Sequence, residues 1–147
     1  MLNKLVSYDT VSSKSNLKMI MFIKDYLESY GINSYLVFDD QKTKANLFAQ
    51  IGPNQEGGVL LSGHTDVVPV DGQNWRTDPF EVIEENNKLF GRGTCDMKGF
   101  NALILAAVPT MVNTKLKKPI QLALSYDEEI GCLGAPRMIK EIQTTLP

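Results

Sequence analysis

The sequence predicts an α/β fold, a mixed and largely parallel sheet flanked by helices, and three observations carry that reading. Apolar runs of strand length alternate with longer stretches of helical period. Turn residues separate them. The polar clusters with chemical potential each fall where a strand or hairpin ends, the place where α/β sheets bind ligands. At 147 residues the chain suits one domain that buries most of a single core, and no repeat, low-complexity stretch or linker divides it.

In residues 17–30, Ile20, Ile23, Leu27 and Tyr30 recur at helical spacing among Lys18, Lys24, Asp25 and Glu28, and Gly31 supplies a stop. Tyr35-Leu36-Val37-Phe38 and Ala45-Asn46-Leu47-Phe48-Ala49-Gln50-Ile51 read as strands across the polar turn Asp39-Asp40-Gln41-Lys42. Gly57-Gly58 introduces an apolar, buried strand, Val59-Leu60-Leu61-Ser62. Phe80-Glu81-Val82-Ile83 and Lys88-Leu89-Phe90 form a hairpin with a polar tip. A second helix runs from about Lys98 through Ala107, and Pro109 kinks or ends it. After a charged loop at 115–119, Ile120-Gln121-Leu122-Ala123-Leu124-Ser125 is the final strand, and a last helix runs from near Pro136 through Ile142.

Composition narrows the function classes. Hydrophobic residues at 43% and charged residues at 22% fit a globular chain rather than a disordered or membrane one. A net charge of -2 leaves no basic footprint for nucleic acid, so a small-molecule partner is expected. The first nine residues lack the apolar core of a signal peptide and no later run has the length of a membrane span, which places the protein in the cytoplasm. Cys95 and Cys132 lack CxxC spacing and read as reduced, buried or semi-buried thiols, not as a disulfide or a thiolate zinc site.

His64 is the only histidine. It ends the 59–62 strand within Ser62-Gly63-His64-Thr65-Asp66, and a sole imidazole with a carboxylate two residues on is a candidate for metal chemistry. Asp66 is placed to hold the far ring nitrogen and fix its tautomer. Asp96 and the pair Glu128-Glu129 occupy comparable positions after the hairpin and the last strand. Imidazole and carboxylates suit a divalent ion such as zinc, and two adjacent glutamates can divide metal binding from proton transfer.

Each cluster alone has an ordinary explanation. Asp96 read in isolation caps the helix near Lys98, and Glu128-Glu129 alone is a solvated loop. Lys98 either faces solvent or answers the local acidic charge. Trp75 either lines a substrate entrance or anchors its loop. Their joint occurrence favours a site. Parallel, neighbouring strands would bring the clusters together.

The segments Ser62-Gly63-His64-Thr65-Asp66-Val67-Val68-Pro69, Trp75-Arg76-Thr77-Asp78-Pro79-Phe80, Gly91-Arg92-Gly93-Thr94-Cys95-Asp96-Met97-Lys98-Gly99 and Asp127-Glu128-Glu129 resemble the dinuclear zinc peptidase and deacylase family. The resemblance runs from end to end and is strongest to its acetylornithine deacetylase branch. It implies His64 as ligand of one zinc, Asp96 as the carboxylate bridging two, Glu129 as ligand of the other, Glu128 as general base, and Asp66 as the carboxylate orienting the histidine. The implied reaction is hydrolysis of an N-acyl amino acid, N2-acetylornithine in arginine biosynthesis, with cobalt a workable substitute for zinc. Succinyl-diaminopimelate desuccinylase, a general aminoacylase or carboxypeptidase, and a noncatalytic binding module are the alternatives.

Family members are longer, so residues 1–147 correspond to the N-terminal portion of the catalytic domain, without the lid and dimerisation domain and the C-terminal part. Two further ligands, a carboxylate and a distal histidine, belong to those parts. The chain alone is therefore expected to bind metal weakly, hydrolyse substrate negligibly and expose apolar surface, whereas the longer protein is expected to be a homodimer.

Overall fold

The computed structural model describes residues 1–145. The elements run α1 (Leu2–Val6), α2 (Leu17–Glu28), β1 (Ser34–Phe38), β2 (Ala45–Ile51), β3 (Val59–His64), β4 (Ile83–Glu85), β5 (Lys88–Phe90), α3 (Lys98–Val112), β6 (Ile120–Ser125) and α4 (Gly134–Thr145). The main sheet has the order β1-β2-β6-β3, and β4 pairs with β5 apart from it. The sheet is mixed, as expected, with a larger antiparallel share than the sequence suggests. β1 and β2, and β2 and β6, are antiparallel, while β6 and β3 are parallel.

Strand alternation explains the layers. Ala45, Leu47, Ala49 and Ile51 of β2 and Leu122 and Leu124 of β6 face the main core with Met19, Ile20, Ile23 and Leu27 of α2 and Ile104, Leu105 and Val108 of α3. Phe48 and Ala123 face the opposite side, where Met138 and Ile142 of α4 cover them. α1, whose Leu5 and Val6 are buried, had no sequence expectation because its five residues are too short to show a period.

Several element ends differ from the sequence reading for identifiable reasons. α2 stops at Glu28, with Gly31 just beyond at φ +73°, in the left-handed region that glycine enters without strain. The hairpin starts at Ile83 rather than Phe80 because Asp78 accepts the Phe80 N–H at 2.8 Å and holds that stretch in a turn. Its tip is Asn86-Asn87, φ 52° and 58°, the pairing that a two-residue hairpin turn demands. α4 begins at Gly134, so Pro136 lies in its first turn, where a missing N–H leaves no bond broken.

α3 continues through Pro109 to Val112. Proline removes the N–H that would bond to the carbonyl four residues back, and that carbonyl, Leu105 O, instead accepts the Tyr26 hydroxyl at 3.0 Å. Tyr26→Phe should therefore lower stability by about 1–2 kcal/mol, seen as a lower urea midpoint at unchanged slope. An unchanged midpoint would mean that the hydroxyl contributes nothing to carrying the helix past the proline.

β3 is not the buried strand that its composition suggests. Among the described residues it forms one edge of the sheet, and Val59 and Leu60 are 57% and 54% exposed. The apolar run matches strands covered on both faces and both edges, and here one edge is open. Cys95 and Cys132 are likewise exposed rather than buried, because both sit in loops at the ends of elements.

Candidate metal centre

The parallel register of β3 and β6 sets His64 beside Ser125, so residues 64–66 and 126–129 leave the sheet side by side. Ser125 O accepts both the N–H and the hydroxyl of Thr65, at 2.8 and 2.9 Å. Thr65 is further held by Asn16 Nδ2, which donates to its hydroxyl oxygen at 2.8 Å, and by Thr10, whose hydroxyl donates to its carbonyl at 2.6 Å. The residue between His64 and Asp66 is thus fixed on every polar atom.

Asp66 joins the two strand ends. Its carboxylate accepts the Ser12 hydroxyl at 2.6 Å and the backbone N–H groups of Glu128 and Glu129 at 3.0 and 3.2 Å. Asp127, at φ +54°, turns the chain so that both N–H groups point inward, and a Lys44–Asp127 ion pair at 2.5 Å braces the turn. Ser12 and Lys44 carried no sequence signal, since both meet the site only through the fold. Burial opposes charge on Asp66, but the contacts from His64, Ser12, Glu128 and Glu129 outweigh it and bring the pKa from 3.8 down to about 2.

The His64 ring lies 3.0 Å from Asp66 O through Nδ1, with Asp66 Oδ1 at 3.5 Å. The backbone carbonyl is the nearer partner, so Asp66 orients the ring with both its carbonyl and its carboxylate. Donation from Nδ1 leaves Nε2 as the free donor atom for a metal. Nε2 is 3.0 Å from Asp96 Oδ1 and 3.7 Å from Glu128 Oε2. Burial favours the neutral ring, yet the hydrogen bonds that it donates to Asp66 and Asp96 raise its pKa from 6.5 to about 9.

Asp96 is not a helix cap: Met97 occupies the N-cap position of α3, with no side-chain capping bond. The Asp96 side chain is 72% exposed and reaches His64 instead. The Asp96–Met97 peptide is cis. The loop before it is packed from beneath by Lys98, which neither faces solvent nor answers the acidic cluster. Lys98 is fully buried and donates to Tyr8 O at 2.6 Å. Burial lowers its pKa to about 8 against the opposing pull of Asp9. Gly93, at φ +83°, passes so close that a Cβ would sit 2.9 Å from Val67 and 3.1 Å from Lys98.

Donor atoms of His64, Glu128 and Glu129 lie within 4.8 Å of one another, and Asp96 approaches the same ring nitrogen. Burial and the Asp96 charge push the Glu129 pKa upward. Three carboxylates around one imidazole are a donor set that a divalent cation neutralises, and its nitrogen and oxygen atoms fit zinc or cobalt. Trp75 stands apart from this cluster. It donates to Gln73 Oε1 at 2.9 Å, carries the Arg92 guanidinium 5.3 Å from its ring centre, and faces a hollow of about 600 Å³ that contains none of the donors. This favours loop anchoring.

Residues 60–146 match the family model described as peptidase family M20/M25/M40. The chain belongs to peptidase family M20/M25/M40. It is 38% identical over 147 residues to an acetylornithine deacetylase of Pasteurella multocida (strain Pm70), covering 95% of this chain and 38% of that protein. It is 42% identical over 123 residues to an acetylornithine deacetylase of Shigella sonnei (strain Ss046), covering 83% of this chain and 32% of that one. The M20 chain thus spans well under half the length of these relatives. Its fold matches human carnosine dipeptidase 1, with TM-score 0.84 and 24% identity over 99% of this chain and 35% of that one. It also matches an M20 metallo-carboxypeptidase of Sulfolobus solfataricus, with TM-score 0.85 and 24% identity over 99% and 34%. Among the described residues no M20 helix is long and apolar enough to cross a membrane.

Proposed function

We propose that this M20 chain is the N-terminal part of the catalytic domain of an amide hydrolase that converts N2-acetylornithine to ornithine and acetate. The convergence of His64, Asp96, Glu128 and Glu129 where β3 and β6 end carries the reading, and the names of the relatives support the substrate. His64 and Asp96 would hold one ion, and Asp96 and Glu129 would hold a second, with zinc the expected metal and cobalt a substitute. When bound, such ions polarise the amide carbonyl and acidify water. Asp66 orients His64. Glu128, 43% exposed at its side chain, takes the proton released as the water oxygen bonds to the carbonyl carbon, and delivers it to the departing amine as the C–N bond breaks.

Each ion would find two protein ligands here where a catalytic zinc ordinarily has three. The 147-residue chain by itself therefore binds zinc weakly and turns over negligibly. The longer protein is a cytoplasmic homodimer of arginine biosynthesis, acting on small N-acyl amino acids. Turnover of N2-acetylornithine and of succinyl-diaminopimelate by the chain extended with the portion its relatives carry tests the substrate. The acetyl compound is expected to be preferred in kcat/KM by at least about 100-fold, and a preference for the succinyl compound would replace this reading with the desuccinylase one.

A further inference from the structure

We infer that Asn101 is a positioning residue for His64, an inference that rests on the metal-centre reading above. In a parallel pair, alternate residues point their N–H and C=O groups to opposite sides. Val59 N–H and Thr65 N–H turn toward the β6 side, bonding Pro119 O at 3.1 Å and Ser125 O at 2.8 Å. The polar groups of His64 therefore face the open edge, and side chains from the start of α3 take the place of a strand there. Met97 Sδ accepts the His64 N–H at 3.3 Å, and Asn101 Nδ2 donates to His64 O at 2.7 Å.

Two details set this contact apart from ordinary core packing. Asn101 is fully buried, and its Oδ1 has no hydrogen-bond partner among the described residues, so the amide carries a desolvation penalty that an apolar residue would avoid. The amide also requires Gly63, since a Cβ there would lie 2.3 Å from Oδ1. α3 starts two residues after Asp96, so one helical turn fixes both the backbone that carries His64 and the end of the loop that carries Asp96. Asn101 holds these two donors in register.

The test compares the parent chain with Asn101→Leu and, independently, Gly63→Ala, which displaces the amide by contact. Cobalt(II) alone is titrated by its visible absorption, the metal-free melting temperature is recorded, and the imidazole cross-peak of the sole histidine is followed by NMR without metal. Both variants should bind cobalt at least about tenfold more weakly and shift or broaden the His64 cross-peak, while Asn101→Leu melts within a few degrees of the parent. Unchanged cobalt affinity and an unchanged cross-peak in a folded variant would overturn the inference. Failure of the parent to bind cobalt even at millimolar metal would overturn the metal-centre reading instead, and the His64 cross-peak would then decide the role of Asn101: unchanged in the variants, it overturns the inference; shifted, it supports it. Should Asn101→Leu not fold, Gly63→Ala carries the same comparison.

Discussion

Glu128→Gln, made in the chain extended with the portion its relatives carry, is expected to lower kcat for amide hydrolysis by about 10²–10⁴-fold with metal content unchanged. Glutamine keeps the size and one oxygen donor of Glu128 but cannot receive and release a proton. This separates two roles that the geometry places close together, since the donor atoms of Glu128, Glu129 and His64 lie within 4.8 Å of one another. His64→Ala removes the only imidazole of residues 1–147 and should lose bound metal and activity together. If Glu128→Gln also lost metal in proportion to kcat, Glu128 would be a ligand and the proton carrier would have to be sought elsewhere.

Asp66→Ala should cost more stability than any other single change at the site, on the order of 3 kcal/mol or more. It would strand the Ser12 hydroxyl and the Glu128 and Glu129 N–H groups at once and remove the carboxylate beside His64, whose Nδ1 keeps the Asp66 carbonyl. A urea titration of the metal-free chain checks this, and a loss under about 1 kcal/mol would show that water replaces the carboxylate.

Asp66 and His64 also titrate in opposite senses. Asp66 is held at about 2 against 3.8, so its contribution is present above about pH 4 and disappears as pH falls through about 2. His64 is held at about 9 against 6.5, so its contribution is full below pH 6.5 and is lost as pH rises through about 9. The metal-free chain should melt highest between about pH 4 and 6.5. In Asp66→Asn the alkaline decline should be smaller and end at lower pH. A melting temperature flat from pH 6 to 10 in the parent chain would show that the ring is not held protonated.

The elements with strong patterns were legible in the sequence because local chemistry decides them. The apolar stripe of α2 and the alternation of β2 are examples, as is the placing of His64, Asp96 and Glu128-Glu129 at element ends. What escaped was decided at a distance. Pro109 argues locally for a break, whereas the carbonyl that it leaves unbonded in α3 is taken up by the Tyr26 hydroxyl, far away in sequence. Val59-Leu60 reads as buried because hydropathy does not record which edge of a sheet a strand occupies. Asp96 reads as a cap because the contact that claims it comes from another strand. Ser12 and Lys44 gave no warning, whereas Asn101 gave one that can be used: a lone amide inside the apolar run of α3.

β6, the last strand among the described residues, lies between β2 and β3, and this orders events as the chain leaves the ribosome. Until residues 120–125 emerge, β2 and β3 have no common partner, and His64 and Asp66 are present without the acidic pair that completes their surroundings. Closing the sheet and delivering Glu128 and Glu129 are one step, because the pair follows directly on the strand that closes it. Long-range pairings of this kind form late. The donors that residues 1–145 supply therefore stand together only after β6 has joined β2 and β3.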